Sequence, residues 1–138
     1  MHMHPYPEKL QQIGAQANNT FTLLGIEPVS FGNGEAVLRM TVTDRVHNGA
    51  GVMQGGFYTI LGDEAIALAI HAELDANENA VTISETTEFF KGIAAGPVVA
   101  QAKITKNGRR VIFAEAYVRE TDVNGKILSK TTASYLVV

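Results

Sequence analysis

Cysteine is missing from all 138 positions. Its absence excludes disulfides, thiol nucleophiles and Cys-ligated zinc, and it fits a reducing cytoplasm. Basic charge is also in short supply. Eleven Lys and Arg against fourteen Asp and Glu leave a formal net charge of -3, so no global basic field directs the chain to nucleic acid or to a membrane surface. There is no uninterrupted apolar run of the ~18 residues that a membrane span requires. The opening Met1-His2-Met3-His4-Pro5 lacks the basic and apolar regions of a signal peptide, and a short terminus of this kind is expected to be disordered. No Walker loop, dinucleotide fingerprint or zinc-ligand spacing is present, so neither a metal nor a cofactor is called for. The expectation is a cytoplasmic chain forming one domain over residues 1–138, with length enough for a proper core.

What the chain does have is one conspicuous stretch, Asn48 to Leu74. From Gly55 to Leu74 it reads as a long helix whose apolar residues, among them Phe57, Ile60, Leu61, Ala65, Ile66, Leu68 and Ile70, cover most of the circumference. Such a helix must be wrapped by other structure. Two carboxylates, Asp63 and Glu64, sit in its middle, and burying either is costly unless it is paired or hydrogen-bonded. At helical spacing Glu64 shares a face with His71, which predicts a structural pair, whereas Asp63 finds no local mate.

The rest of the chain supplies the wrapping. Leu10, Ile13, Ala17 and Phe21 recur at helical spacing, which predicts a short N-terminal helix over about 8–18, ended by Asn18-Asn19. Residues 26–31 and 35–43 form a hairpin about Gly32-Asn33-Gly34. Residues 80–90 read as an unusually polar strand, with Thr82, Ser84, Thr86 and Glu88 on one face and Val81, Ile83, Glu85, Thr87 and Phe89 on the other. Residues 98–106, 110–119 and 126–138 then form a meander, with turns at Asn107-Gly108 and Val123-Asn124-Gly125. The fold class is therefore α+β: about six antiparallel strands in a curved sheet around one buried helix.

The run Asn48-Gly49-Ala50-Gly51-Val52-Met53-Gln54-Gly55-Gly56, followed by Leu61-Gly62-Asp63-Glu64-Ala65, resembles the PaaI-like group of hotdog-fold acyl-CoA thioesterases. That group has an Asn, a Gly and His-Gly-Gly before Leu-x-Asp-x-Ala on the central helix. Gly108-Arg109 and the turn Asp122 to Gly125 are similar to later features of the same group, so the likeness spans roughly 25–138. The resemblance implies a hotdog fold, acyl-CoA as substrate, and a homodimer at least, commonly a homotetramer. It also implies that Asn48 holds the loop or a water, and that Thr82 positions the water or the carboxylate. One departure stands out. Gln54 replaces the family His, and an amide cannot titrate.

The chemistry follows from the residues as well. Thioester hydrolysis develops negative charge on the carbonyl oxygen and needs a carboxylate to attack or to activate water. Gly55 and Gly56 lie at a helix N-terminus, where unpaired N–H groups and the helix dipole favour an oxyanion. Asp63 is the candidate nucleophile or general base. Because a helix rises ~1.5 Å per residue, Gly55 and Asp63 stand ~12 Å apart and cannot serve one carbonyl within one chain. A two-fold dimer with antiparallel central helices brings Gly55 of one chain to Asp63 of the other. Phe57, Tyr58, Phe89 and Phe90 are the candidates for shaping the acyl site, and Arg109 and Arg110, with Lys91, Lys103 and Lys106, are the cations available to CoA phosphates. Two rival functions remain open: a non-catalytic acyl-CoA sensor, for which Gln54 argues, and a hotdog hydratase.

Overall fold

The computed structural model describes residues 2–138. Its N-terminal segment is ordered rather than loose. Helix α1 (Pro5–Ile13) begins with Pro at its first position, and the His4 ring caps it: Nδ1 accepts from the Tyr6 N–H at 3.1 Å while Nε2 lies 2.9 Å from Asn79 Oδ1. A proton on Nε2 satisfies both bonds. Where one helix is expected over 8–18, α1 gives way to a 3₁₀ turn, Gly14–Ala17, and a second helix follows it. Asn18 starts the second, α2 (Asn19–Leu24), by accepting from the N–H groups of Thr20 and Phe21. An Asn ahead of a helix is a stronger start signal than a stop.

Strands β1 (Glu27–Gly32) and β2 (Glu35–Val42) form the expected hairpin. Asn33 and Gly34 both have positive φ, 56° and 76°, the geometry of a type I′ turn. A loop leads to α3 (Gly55–His71), which stops three residues before Leu74. Strands β3 (Ala80–Phe89), β4 (Gly96–Asn107), β5 (Val111–Glu120) and β6 (Ile127–Val137) complete an antiparallel sheet in the order β1-β2-β4-β5-β6-β3. One face of it packs on α3, with Leu61, Ala65, Ile66, Leu68, Ala69 and Ile70 fully buried.

Small residues let the helix settle close. Ala100, Ala102, Ala114 and Ala116 line the buried face of β4 and β5, and at Gly62 a Cβ would stand 2.6 Å from Thr131 Oγ1 and 2.8 Å from its Cβ. A chain of hydroxyls crosses the same contact, with Thr59 donating to Thr87 at 2.9 Å and Thr87 meeting Thr131 at 2.9 Å.

The interior resolves the question of Glu64 differently from the expected pair. His71 Nδ1 donates to the Ala67 carbonyl at 2.7 Å, and its ring meets those of His4 and Tyr6 edge-on. Glu64 instead accepts from Asn18 Nδ2 at 3.3 Å, and the same amide donates to the Tyr6 hydroxyl at 2.8 Å. Asn18 thus ties α1, α2 and α3 together. The i to i+7 spacing that suggested a Glu64 pair with His71 ignored a tertiary partner only 3.3 Å away.

Candidate active site

The loop before α3 is built by Asn48. Its Oδ1 accepts from the N–H groups of Ala50 at 2.8 Å and Val52 at 3.3 Å, and its own N–H donates to the Val52 carbonyl at 2.7 Å. His47 secures the other side of the loop at the Ala94 carbonyl. Gln54 then enters α3 as its cap residue, exposed and with no capping bond from its side chain. The first-turn N–H groups of Gly55 and Gly56 have no carbonyl partner available within the helix. Gly56 is open, with no atom near an imagined Cβ, while Gly55 faces the Phe89 ring at 3.4 Å.

A cleft of about 350 Å³ opens there, lined by Asn48, Met53, Gly55, Tyr58, Phe89, Phe90 and Lys91. Tyr58 and Phe89 meet edge to face with centroids 5.8 Å apart, and the Tyr58 hydroxyl donates to the Lys91 carbonyl. Burial pushes the Tyr58 phenol above its ordinary value, so it stays a neutral donor. Six of the residues expected from sequence therefore meet in one place: Asn48, Gly55, Tyr58, Phe89, Phe90 and Lys91. Phe57 does not join them. It points across the helix into a separate apolar hollow of about 260 Å³ with Leu23, Leu24, Val46 and Arg45, because successive helix residues project ~100° apart.

The candidate carboxylate lies further along α3. Asp63, half-buried, accepts at Oδ1 from the Tyr135 hydroxyl of β6. Thr82 sits beside the same phenol, and the Glu85 carboxyl of β3 lies next to that of Asp63. The local mate that the sequence did not offer Asp63 thus comes from the sheet. Burial first, and then the bond to Asp63, push the Tyr135 phenol well up, so it remains a donor.

Simple alternation put Thr82 and Glu85 on opposite faces of the strand, and the structure does not. The pairing of β3 with β6 slips between Thr82 and Ser84, with Thr82 opposite Tyr135 but Glu85 opposite Ala133 and Thr87 opposite Thr131. The extra residue, Ile83, turns Thr82, Glu85 and Thr87 to the helix side together. Arg109 and Arg110 lie in the exposed turn between β4 and β5, beside the last residues of β6 and at the other end of the sheet from Phe89 and Phe90.

Residues 50–125 match the model of the thioesterase superfamily. The chain belongs to that superfamily. Its fold is the hotdog fold, and the membership makes it a thioester hydrolase by class. Among curated relatives it is similar to a 1,4-dihydroxy-2-naphthoyl-CoA hydrolase of Listeria monocytogenes, 28% identical over 105 residues that span 76% of this chain and 84% of that protein. Among solved structures it is similar to a mutant of the phenylacetic acid degradation protein PaaI from Thermus thermophilus, at 27% identity and TM-score 0.78, covering 86% of this chain and 98% of that one. It is also similar to conserved protein PA5202 from Pseudomonas aeruginosa, at 29% identity and TM-score 0.81, covering 88% and 94%. No helix among the described residues of this superfamily member is long and apolar enough to cross a membrane.

Proposed function

We propose that this superfamily member is an acyl-CoA thioesterase in which Asp63 is the nucleophile or general base. The observation that carries the reading is the Asp63 carboxylate itself, half-buried in the middle of an apolar helix and held at one oxygen by Tyr135. A carboxylate held in place in this way is equipped to attack a carbonyl carbon or to take a proton from water. The Gly55 and Gly56 N–H groups receive the carbonyl oxygen as it gains charge. Eight residues of helix separate the two, ~12 Å, so each site draws its Asp63 from one protomer and its glycines from the partner. Two equivalent sites per dimer follow.

The open outer edge of β3 supports this assembly. β3 ends the sheet, and Val81 and Ile83 on it are 50% and 55% exposed. Pairing two such edges across a two-fold axis covers them and sets the helices side by side. The cleft at Gly55, walled by Tyr58, Phe89 and Phe90, suits an apolar or aromatic acyl group, the class to which the naphthoyl substrate in the Listeria relative's name belongs. Asn48 holds the loop that forms its rim. The Arg109 and Arg110 turn lies toward the Asp63 end of the sheet and is available to CoA phosphates.

Asp63→Asn tests the assignment, because it keeps the shape of the side chain and its acceptor for Tyr135 while deleting the charge. The expected outcome is a fall in kcat of at least ~100-fold with acyl-CoA affinity retained, the sign of a lost base or nucleophile. CoA release would be followed across aliphatic and aromatic acyl-CoAs. Wild-type protein that binds these thioesters and hydrolyses none would favour the sensor reading that Gln54 keeps open.

A further inference from the structure

The slip in β3 has placed a second carboxyl group against Asp63. Glu85 stands opposite Ala133, on the helix-facing side of β6 between Tyr135 and Thr131, and its carboxyl group lies beside that of Asp63. A bond between two carboxyl groups requires a proton on one of them, since two ionised carboxylates at that range repel. Tyr135 already donates to Asp63 Oδ1. We propose that Glu85 is a positioning residue for the Asp63 carboxylate: as a carboxylic acid it donates to Asp63 and, with the Tyr135 hydroxyl, fixes the direction in which the Asp63 oxygens point. The inference rests on Asp63 being the catalytic carboxylate. It assigns Glu85 no contact with substrate.

The ionisable groups facing Glu85 are Asp63 from α3 and Tyr135 from β6, with Glu64 one position beyond Asp63. None is a cation, so nothing there favours the ionised form of Glu85. Partial burial first, then the bond to Asp63 and its charge, push Glu85 up to about 7 from an ordinary 4.5. The folded value lies above the unfolded one. The order that this proton brings is therefore fully present below about 4.5 and is lost as pH rises through about 7. Above that, Glu85 has lost the proton that it donates, and Asp63 is released from its aim. The rate of the chemical step then falls on the alkaline side of about 7.

The test is kcat and KM between about pH 5 and 9 for wild type, Glu85→Gln and Glu85→Ala. Gln keeps an N–H donor that does not ionise, so the alkaline limb near 7 should vanish while kcat in weak acid drops no more than about fivefold. Ala removes the donor, and kcat should fall by about tenfold or more across the range with little change in KM, the mark of lost orientation. An alkaline limb that persists in Glu85→Gln, or an Ala variant with wild-type kcat and pH profile, overturns the proposal. Should the Ala variant not fold, as judged by circular dichroism, the limb in Glu85→Gln decides alone. Asp63→Asn measured alongside separates the two readings: if it is inactive while the Glu85 variants follow wild type, only the role of Glu85 fails, and if it retains full rate, the role of Asp63 fails.

Discussion

Gly62 sits one residue before Asp63 and fixes how closely α3 lies on the sheet. An added methyl would meet Thr131 at 2.6 and 2.8 Å, and Thr131 cannot swing away without breaking its bond to Thr87. Two effects compete in Gly62→Ala. The helix gains up to ~1 kcal/mol of propensity, whereas forcing a methyl into a packed contact costs ~1–3 kcal/mol. The clash is with the stem of a β-branched side chain, which has few rotamers to retreat to, so it should win. The expected outcome is a net loss of about 1–2 kcal/mol in chemical denaturation; a stabilised variant would show that the contact is looser than described. At this scale the sequence disclosed the residues that carry motifs: Asn48, Gly55, Gly56 and Asp63. Glu85 was not legible, because its place beside Asp63 depends on the bulge at Ile83, and Tyr135 was not, because it reaches Asp63 from a strand 72 residues further along the chain. No glycine or proline marks that bulge, and strict alternation assigns Glu85 and Thr82 to opposite faces.

Elements with strong periodicity were the readable ones. The all-round apolar helix, the Asn-Gly hairpin and the three-strand meander all follow from apolar spacing and turn chemistry, and each appears within a few residues of its expected bounds. The N-terminal segment was misread for a different reason. His4 and Asn18 each cap the helix that follows, and each is also held by a long-range partner, Asn79 and Glu64, which no local window contains. Strand β3 is the element on which assembly should turn. It is polar, it is exposed along nearly its whole length, and it ends the sheet, yet it carries Val81 and Ile83 at its start with more than a third of each in solvent. Lysines at both positions should protect that edge as charged edge residues do in monomeric sheets. Val81→Lys with Ile83→Lys is therefore expected to raise the dimer dissociation constant at least ~10-fold in sedimentation equilibrium and to lower activity in proportion to the dimer lost. A doubly substituted protein that stays dimeric at wild-type affinity would place the interface elsewhere.

As a whole molecule, the single chain holds the two parts of the proposed site at different places along one helix. The glycine end has the cleft, the loop built by Asn48 and the aromatic walls. The other end has Asp63 with Tyr135, Thr82 and Glu85. The helix rise alone, which needs only the sequence, says that these halves cannot meet within one protomer. Subunit mixing tests that claim most directly. Asp63→Asn spoils one half, and Gly56→Leu spoils the other by putting a bulky side chain at a position where an added Cβ meets no protein atom within 4 Å. Each variant alone should be nearly inactive. Mixed in equal amounts and allowed to exchange, about half of the dimers would be hybrids, each with one site spoiled twice and one site intact, so activity should return to about a quarter of wild type. Hybrids that remain as inactive as their parents, after exchange is verified by mass, would show that Asp63 and the glycines act within one chain and would contradict the shared site.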